Sequence, residues 1–304
     1  MKVLAFGEIL WDIIEDSEHL GGAPFNFAAH MAQCGNDAFI ISRIGKDPRG
    51  TQAFIRSNAH GVNGSMIQWD DVHPTGVVDV TLNNGQPDYI IRENTAYDYI
   101  SADNTLAALS EKHFDVFYFG SLAQRHFISE QTLYKALSTH QFRHIFYDVN
   151  LRKSGYSEDI IRRSLGVCSI FKLNADEVAV ISSMILQPGL LPDEFCKGVK
   201  QLYPNIEIII ITAAESGCYV YEQELIFTPG FPVTVRDAVG AGDAFSAAFM
   251  HVYATCADAV SAAKIANKVG AFVATQTGAI PPYSPEIRDL LINMAGFDVP
   301  GSFL

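Results

Sequence analysis

The sequence predicts an α/β fold in which helices cover both faces of a mostly parallel central sheet, a three-layer α/β/α arrangement. Short apolar runs alternate along the chain with longer segments of helical period. Such runs are typical of strands that are buried on both faces, and their alternation with helices is typical of parallel sheets. No linker, repeat or low-complexity segment interrupts the 304 residues, so we predict a single domain, 1–304.

Six apolar runs predict strands of the central sheet, at 3–6, 39–44, 116–119, 145–149, 170–173 and 206–211. The segments between them predict helices at 27–34, 47–60, 129–139, 157–168, 175–183 and 192–202. In sheets of this kind ligands bind in the loops that follow the carboxyl ends of the strands. We therefore expect the functional residues in those loops.

One region interrupts the alternation. Between 65 and 100 the sequence predicts no helix, but a strand at 77–82, a turn at 83–86 and a returning strand at 89–91. With the segment 9–14 these strands are expected to form a small antiparallel sheet, a lid built from about 9–20 and 65–100, although an ordinary edge of the main sheet has the same periodicity. A lid beside a substrate site would exclude water, and its exposed strands can pair with a second copy, which makes a homodimer possible.

The last third of the chain is predicted to be helical. Phe245, Ala248, Phe249 and Val252 are spaced to share one helix face directly after Asp243. A second long helix is predicted at 257–275, and the Gly- and Pro-containing segment 277–282 ends it.

Composition and charge exclude several classes of function. The net charge is −13 and no cluster of Lys and Arg forms a phosphate-binding stripe, so we expect neither nucleic acid nor membrane partners. The five cysteines are scattered without a Cys-x-x-Cys pair, which favours free thiols in a reducing, cytoplasmic compartment over a zinc site. The most apolar run, 206–211, is too short to span a bilayer.

The most informative motif is Asp237-Ala238-Val239-Gly240-Ala241-Gly242-Asp243. The backbone N–H groups of Gly240, Ala241 and Gly242 can close around an anion, and a helix that begins there adds the positive end of its dipole. The carboxylate of Asp243 would then lie beside an anion pocket, where phosphoryl transfer needs a general base. The alternative is that Asp243 is simply the N-cap of the helix.

Further polar residues follow other predicted strands. Asp12 and Asn26 flank the pair Gly21-Gly22 and offer hydrogen-bonding groups to a hydroxyl-rich ligand. Arg152 follows the strand at 145–149 and can neutralise an anion. Asn174 and Glu177 stand one helical turn apart, so both can reach a hydrated Mg²⁺. Each of these residues also has a purely structural alternative. The glycines can form a hinge, and Asn26 can cap a helix. Asp12 can lie in a solvated turn, and Glu177 can belong to a capping box.

Two nucleotide-binding motifs are missing. The sequence has no G-x-x-x-x-G-K-[ST], which excludes a P-loop enzyme, and the first strand is not followed by G-x-G-x-x-G, which removes the main support for a dehydrogenase. The segment 212–217, after the most apolar strand, can still lie along a nucleotide.

The order of these motifs resembles that of the ribokinase/PfkB family of sugar kinases. Gly21-Gly22 with Asn26, then Asn174-x-x-Glu177, then the Asp237–Asp243 motif match it from about residue 7 to 279. The segments 93–98 and 119–125 are similar to those of fructokinases in particular. The resemblance implies a ribokinase-like fold, ATP and Mg²⁺ as cofactors, K⁺ as a possible further ion, and a sugar, most simply fructose, as substrate.

The resemblance also implies a role for each matching residue. Asp243 would take the proton from the sugar hydroxyl, and the amides of Gly240, Ala241 and Gly242 would stabilise the transferred phosphoryl group. The remaining assignments follow by ligand: for the sugar, Asp12, Gly22, Asn26 and Arg152; for the nucleotide, Asn174, Thr212, Gly217 and Asn267; for Mg²⁺ through water, Asn174 and Glu177; for a monovalent cation, Asp237 and Gly278.

The chain departs from the family pattern at Ala214, where relatives usually have Gly, and this puts the fit of that loop to a nucleotide in question. Kinases for 2-keto-3-deoxygluconate, ribose, a nucleoside or a sugar phosphate stay open as alternatives, as does a sugar-binding regulator without catalytic activity. An acidic substrate would need cations in the pocket, and only Arg152, with Arg92 or Arg125, is placed to supply them.

Overall fold

The structure, a computed structural model, describes residues 1–14, 17–83, 86–110, 112–153 and 155–293. Its strands are β1 (Lys2–Phe6), β2 (Leu10–Ile14), β3 (Ser17–Gly21), β4 (Asp37–Gly45), β5 (Ile67–Asp70), β6 (Gly76–Asn83), β7 (Gln86–Ile91), β8 (Val116–Gly120), β9 (His144–Asp148), β10 (Ile170–Asn174), β11 (Ile208–Thr212), β12 (Gly217–Tyr221) and β13 (Leu225–Pro229). Its helices are α1 (Ala23–Gln33), α2 (Pro48–Ala59), α3 (Ala102–Ser110), α4 (Phe127–Thr139), α5 (Glu158–Leu165), α6 (Ala175–Ile185), α7 (Pro192–Leu202), α8 (Ala241–Cys256), α9 (Ala259–Ala274) and α10 (Pro285–Asn293).

The central sheet has nine strands in the order β13-β12-β11-β10-β9-β8-β1-β4-β5. The seven strands from β11 to β5 run parallel, and the hairpin β12–β13 adds an antiparallel edge. The predicted α/β class with a mostly parallel sheet is confirmed, and each of the six predicted strands lies in this sheet. The hairpin was not predicted, because the apolar run of β13 is only three residues long, Leu225 to Phe227, and the strand is largely exposed.

Helices cover both faces of the sheet, which confirms the three layers. Alternate side chains of β1 point to opposite faces: Val3 and Ala5 belong to a core shared with α1, α8, α9 and α10. Leu4 and Phe6 belong to the second core, which α3 to α7 cover. This alternation is the period of two expected of a strand buried on both faces.

The predicted helices all occur, as α1, α2, α4, α5, α6, α7, α8 and α9, with bounds within a few residues. The short helices α3 and α10, each of nine residues, were not predicted. In the part of the chain that the structure describes, no helix is both long enough and apolar enough to cross a membrane.

The small sheet, strands β3-β2-β6-β7, stands apart from the central sheet and corresponds to the predicted lid. β2 pairs antiparallel with β3 but parallel with β6, and β6 pairs antiparallel with β7, so the small sheet is mixed rather than purely antiparallel. Residues 84 and 85 of the predicted turn lie outside the described residues.

The predicted lid segment 65–100 was too long. Within it, β5 pairs with β4 at the edge of the central sheet, and three of its four residues are buried. Residues 96–99 form a buried 3₁₀ turn instead of a strand. The sequence did not predict β5 as a buried strand, because the strand contains polar residues. Gln68 is nevertheless buried, since its side-chain amide donates to Ser101 O and Thr105 Oγ1, both at 3.0 Å.

We predict that Phe27→Ala destabilises the protein by about 3–5 kcal/mol, the range for removing a buried phenyl ring. Phe27 is fully buried on α1 and stacks on Tyr118 at 3.9 Å between ring centroids. The denaturant midpoint of unfolding measures the effect. Phe127→Ala is the matched control, because Phe127 is 64% exposed, and a loss there as large as that at Phe27 would contradict the assignment of the core.

Candidate active site

The Asp237–Asp243 motif leads directly into α8. Gly240 is the N-cap residue, with φ of +78°, and a Cβ there would lie 2.3 Å from the carbonyl oxygen of Ala279. Only glycine fits both the left-handed backbone and the close approach. Asp243 is the third residue of the helix, so the alternative that it is an N-cap is wrong, and no side chain caps this helix.

The start of α8 leaves backbone donors free. Ala241 N–H donates to Ala238 O at 3.3 Å within the preceding turn. Among the described residues, nothing accepts from the N–H groups of Gly240, Gly242 and Asp243, as is expected for an uncapped first turn. The N–H groups of Gly240 and Gly242 are therefore available for the predicted anion cup, whereas Ala241 N–H already has a partner. The N–H group of Asp243, which the sequence analysis did not assign, is also unpaired among the described residues.

A hydrogen bond joins this helix to the first glycine pair. Asn26 Nδ2 donates to Asp243 Oδ2 at 2.8 Å, and Asn26 lies in the first turn of α1, which Gly22 precedes. Gly22 has φ of +111° and approaches the carbonyl oxygen of Glu8 so closely that a Cβ would lie 2.5 Å from it. Asn26 is 5% exposed and its Oδ1 has no partner in the described part of the chain. One amide thus positions Asp243 and keeps an acceptor for a ligand hydroxyl.

A buried polar network lies beneath the first turn of α8, which carries Asp243. Asp148 Oδ2, at the end of β9, accepts from Lys172 Nζ at 2.8 Å and from Ser246 Oγ at 3.0 Å. Burial alone would lower the pKa of Lys172, but Asp148 holds that pKa above its ordinary value, so the pair stays ionic. The sequence analysis missed this pair, although charged residues inside apolar strands signalled it.

Burial raises the pKa of Asp243 to about 6. The hydrogen bond from Asn26 opposes this shift, the negative charge of Asp148 adds to it, and Lys172 and Arg152 oppose it. The carboxylate is therefore charged at neutral pH and more basic than an exposed aspartate.

Two further carboxylates share the site. Burial raises the pKa of Glu8, directly after β1, to about 7, and Arg152 and the carboxylate of Asp243 act on it in opposite directions. Burial raises the pKa of Asp12 to about 6, against the charges of Arg152 and His19. A Cβ on Gly21 would lie 2.8 Å from Asp12 Oδ2, which explains the first glycine of the pair. Glu8 was not predicted, although an acid directly after an apolar strand signals it.

Asn174 and Glu177 form a capping box at the start of α6. Glu177 N–H donates to Asn174 Oδ1 at 2.9 Å, and Asn174 N–H donates to Glu177 Oε2 at 2.8 Å. Leu151 N–H donates to the other carboxylate oxygen of Glu177 at 2.7 Å. The capping alternative is therefore realised. Each carboxylate oxygen keeps a second lone pair toward the cavity, so a contact with hydrated Mg²⁺ stays a prediction.

The predicted nucleotide residues surround the hairpin β12–β13. Thr212 ends β11, and Gly217, with φ of +120°, begins β12, where a Cβ would lie 2.1 Å from the carbonyl oxygen of Thr228. Asn267 Nδ2 donates to Thr228 O and to Pro229 O, both at 3.2 Å, so Asn267 fixes the hairpin to α9. Ala214 has φ of +47°, a left-handed conformation that glycine adopts without strain. The alanine at this position, where the family pattern has glycine, therefore strains the backbone.

Asp237 and Gly278 adjoin each other. Gly278 N–H donates to Asp237 Oδ2 at 3.0 Å, and Val239 N–H donates to Asp237 Oδ1 at 3.0 Å. In the ranges that the structure describes, no group of three His, Cys, Asp or Glu side chains could hold a metal ion. Any cation here would therefore depend on backbone carbonyl oxygens as well as Asp237.

A cavity of 1160 Å³ connects all of these groups. Its lining includes every residue that the sequence analysis assigned to the sugar, the nucleotide, the base, the cup and the cations. The sequence thus predicted the membership of the site, whereas the role of each residue stays a prediction. Single ligand pockets measure about 300–1,000 Å³, so the volume of this cavity lies above that range.

The fold and the site together define a class. A three-layer α/β/α fold with a small separate sheet, and a carboxylate beside free amides at a helix start, are the features of a ribokinase-like sugar kinase. The sequence model of the pfkB family of carbohydrate kinases matches residues 4–287. The chain belongs to this family and is a carbohydrate kinase.

Individual relatives are distant. Fructokinase-2 from Oryza sativa subsp. japonica is 28% identical, with 92% of this chain and 90% of the relative covered. Fructokinase with bound ATP from Xylella fastidiosa superposes with a TM-score of 0.85 at 21% identity, covering 96% of this chain and 98% of that one. Fructokinase from Vibrio cholerae O395, in a fructose, ADP and calcium ion bound form, gives 0.80 at 21% identity, covering 92% and 95%. Aminoimidazole riboside kinase from Salmonella enterica, complexed with aminoimidazole riboside and an ATP analog, gives 0.78 at 22% identity, covering 96% and 98%. These structural matches confirm the fold.

We predict that Gly240→Ala abolishes kinase activity while the chain still folds, because the new Cβ displaces either the Ala279 carbonyl or the start of α8. Steady-state kinetics and circular dichroism measure the two effects. Gly189→Ala is the matched control: its φ of +79° imposes the same backbone strain, about 1–2 kcal/mol, but no atom lies within 4 Å of its Cβ. Equal activity in the two variants would contradict the requirement for close packing at Gly240.

Proposed function

We propose that the protein transfers the γ-phosphoryl group of ATP to a primary hydroxyl of a sugar, with Mg²⁺ required, and that fructose is the preferred acceptor. The product is a fructose phosphate, and Asp243 is the general base. The observation that carries this proposal is the position of the Asp243 carboxylate. It lies beside free amides at the start of α8 and hydrogen-bonds Asn26 at 2.8 Å, in one cavity with both glycine motifs.

Asp243 acts as the base in the following way. The sugar hydroxyl donates a hydrogen bond to the carboxylate, and its proton moves to Asp243 as the bond from oxygen to phosphorus forms. The bond from that phosphorus to the oxygen that bridges to ADP breaks in the same step. A carboxylate with a pKa of about 6 is a weak base for an alcohol, so the proton moves late and positioning supplies most of the rate acceleration.

The amides of Gly240, Gly242 and Asp243 are placed to stabilise negative charge on the transferred group, with the dipole of α8 behind them. Asn26 Oδ1 and Asp12 would accept hydrogen bonds from sugar hydroxyls, Gly22 lets the backbone approach the sugar, and Arg152 offsets their negative charge. Mg²⁺, when bound, neutralises charge on the phosphates. Glu177 and Asn174 would hold its water ligands, and Asp237 with the backbone at Gly278 would hold K⁺ if a monovalent cation binds.

The charges near the pocket favour a neutral sugar. Arg92 makes two hydrogen bonds of 2.7 Å to Asp79. Arg125 binds Asp98 at 2.7 and 2.8 Å. Neither arginine lines the cavity, so neither supplies the cation that an acidic substrate would need, and the interpretation that they might is wrong. The fructokinases among the relatives also favour fructose.

A second candidate acceptor is a sugar acid such as 2-keto-3-deoxygluconate. Arg56, His19 and His60 line the cavity on the side of the small sheet, and the sequence analysis did not assign them. Arg56 lies 4.9 Å above the ring of Trp11 and has no carboxylate partner in the part of the chain that is described. A ribose or nucleoside acceptor is the alternative that the similarity to the aminoimidazole riboside kinase supports. A regulator without activity is disfavoured because base and cup are both intact.

Assembly is a separate proposal. The strands β3 and β7 form the two edges of the small sheet, and such edges can pair with a second copy. We therefore propose that any homodimer forms through this sheet.

A coupled assay of ADP release tests the proposed function with fructose, ribose, adenosine and 2-keto-3-deoxygluconate as acceptors. We expect the highest kcat/KM with fructose and a fall in kcat of roughly 10²-fold or more in Asp243→Asn. Near-normal turnover in a folded Asp243→Asn protein would refute the assigned base. Arg56→Gln distinguishes the acceptors. We expect this substitution to leave activity on fructose unchanged, whereas a selective loss of activity on the sugar acid would establish the second candidate.

The pH dependence of kcat/KM provides an independent prediction. Activity needs the charged form of Asp243, so it should fall as the pH drops through about 6. Asn26→Leu removes a hydrogen bond that stabilises the charged form, so the pKa of Asp243 rises and the acidic limb moves to higher pH.

The position of that limb, not the absolute rate, is the measurement, because Asn26→Leu also removes a sugar contact. Glu8→Gln is the control, since Glu8 titrates in the same range. If Glu8→Gln removes the acidic limb and Asn26→Leu leaves it in place, the limb belongs to Glu8 and the assignment to Asp243 fails.

A further inference from the structure

A second cavity lies at the opposite end of the sheet from the candidate active site. It has a volume of 320 Å³ and is lined by residues that begin β9, precede β4 and β8, and end α8. Those that matter below are Asn36, Asp115, Arg143, His144, His251 and Thr255. None of them belongs to the kinase site, and the proposed function uses none of them.

His144 is the buried polar group of this cavity. The residue is only 7% exposed, and neither nitrogen of its ring has a hydrogen-bond partner in the described ranges. Burying two polar atoms without hydrogen-bond partners is energetically unfavourable. Burial, reinforced by the neighbouring Arg143, lowers the pKa of His144, so the ring is neutral at pH 7 and offers one donor and one acceptor.

The charges of the cavity favour an anion. Arg143 is exposed and has no ion pair among the residues described, whereas the acid of the lining is already engaged. Asp115 Oδ2 accepts from Lys2 N–H at 2.8 Å, and His113 Nε2 lies 3.8 Å from the other oxygen. Arg143 thus supplies a cation without an ion-pair partner among the described residues, beside the ring of His144, and the carboxylate of Asp115 lies in the same lining.

The other polar groups of the lining are already paired. Asn36 Nδ2 donates to Met31 O at 3.0 Å and contacts His251 Nδ1 at 3.1 Å. Thr255 Oγ1 donates to His251 O at 2.9 Å, and Ala257 N–H donates to Tyr253 O at 2.8 Å. These bonds engage the carbonyl oxygens of Met31, His251 and Tyr253 in the last turns of α1 and α8.

The elements that line this cavity also carry the catalytic groups. α8 carries Asp243 in its first turn and Thr255 in its last turn, about 18 Å further along the helix axis. α1 carries Asn26, the partner of Asp243, and leads to Asn36. β9 begins at His144 and ends at Asp148, whose charge raises the pKa of Asp243.

From this juxtaposition we propose that the cavity is a regulatory site for a small oxyanion, the phosphate or carboxylate group of a metabolite. Arg143 pairs with the anion and His144 donates to it through one ring N–H. Occupancy restrains the ends of α1, α8 and β9, and thereby changes the affinity of the active site for its nucleotide.

Histidine ring NMR tests the binding step. With nucleotide and sugar saturating the active site, inorganic phosphate is added up to about 10 mM, enough to fill a site of millimolar affinity. We expect the ring nitrogens of His144, assigned with His144→Gln, to shift. Arg143→Gln should abolish the shift, and Arg162→Gln, which changes an exposed arginine paired with Glu158 outside the lining, should preserve it. An unmoved His144 ring, or an equal shift in Arg143→Gln, overturns the site.

Calorimetry of nucleotide binding tests the coupling. Phosphate also competes for the anion cup, so the comparison is between Arg143→Gln and Arg162→Gln at each phosphate concentration. We expect the nucleotide Kd to depend on phosphate differently in the two variants, by about 5-fold, the lower end of allosteric effects. An identical phosphate dependence in both, with the His144 shift present, overturns the regulatory role.

Discussion

The hydrogen bond from Asn26 to Asp243 is the interaction on which the site depends, because it joins two helix starts that are 217 positions apart in the sequence. Each helix begins at a glycine with positive φ, and each glycine packs against another chain segment so closely that a Cβ would clash. The two glycine turns therefore fix the backbone, and the hydrogen bond fixes the carboxylate between them. If either turn moved by an ångström, the base and the free amides would no longer face one ligand.

The electrostatics of the site explain why this carboxylate can serve as a base. A buried acid surrounded by apolar groups would take up a proton, whereas an acid paired directly with a cation would lose its basicity. Asp243 avoids both outcomes, because Lys172, the cation that lowers its pKa most, is held by Asp148 at 2.8 Å. Ser246 links the pair to α8 itself, since its hydroxyl contacts Asp148 Oδ2 and Gly242 O. The network beneath the cup thus fixes the first turn of the helix. It also acts on the pKa of Asp243 in both directions, since Asp148 raises that pKa and Lys172 lowers it.

Local sequence patterns predicted the parts of the molecule whose cause is local. Apolar runs indicated the six inner strands, and the glycine motifs indicated both helix starts. Polar residues after strands indicated the members of the cavity, because parallel strands end at one edge of the sheet. Pairings between distant segments could not be predicted from the sequence. β5 joins the central sheet because it pairs with β4. Arg92 and Arg125 form hydrogen-bonded ion pairs with Asp79 and Asp98, respectively. Glu8, Asp148 and Lys172 could have been noticed in the sequence, because each is a charged residue within or after an apolar run. Their interaction partners could not be predicted, because tertiary structure brings them together.

The central claim is that one carboxylate meets the acceptor hydroxyl at the mouth of the amide cup. A crystal structure of the protein with fructose and a non-hydrolysable ATP analogue tests it most directly. We expect a primary hydroxyl of the sugar within hydrogen-bonding distance of Asp243, and the terminal phosphate over the amides of Gly242 and Asp243. A sugar bound with its hydroxyls away from Asp243, or a terminal phosphate that contacts none of these amides, would contradict the account.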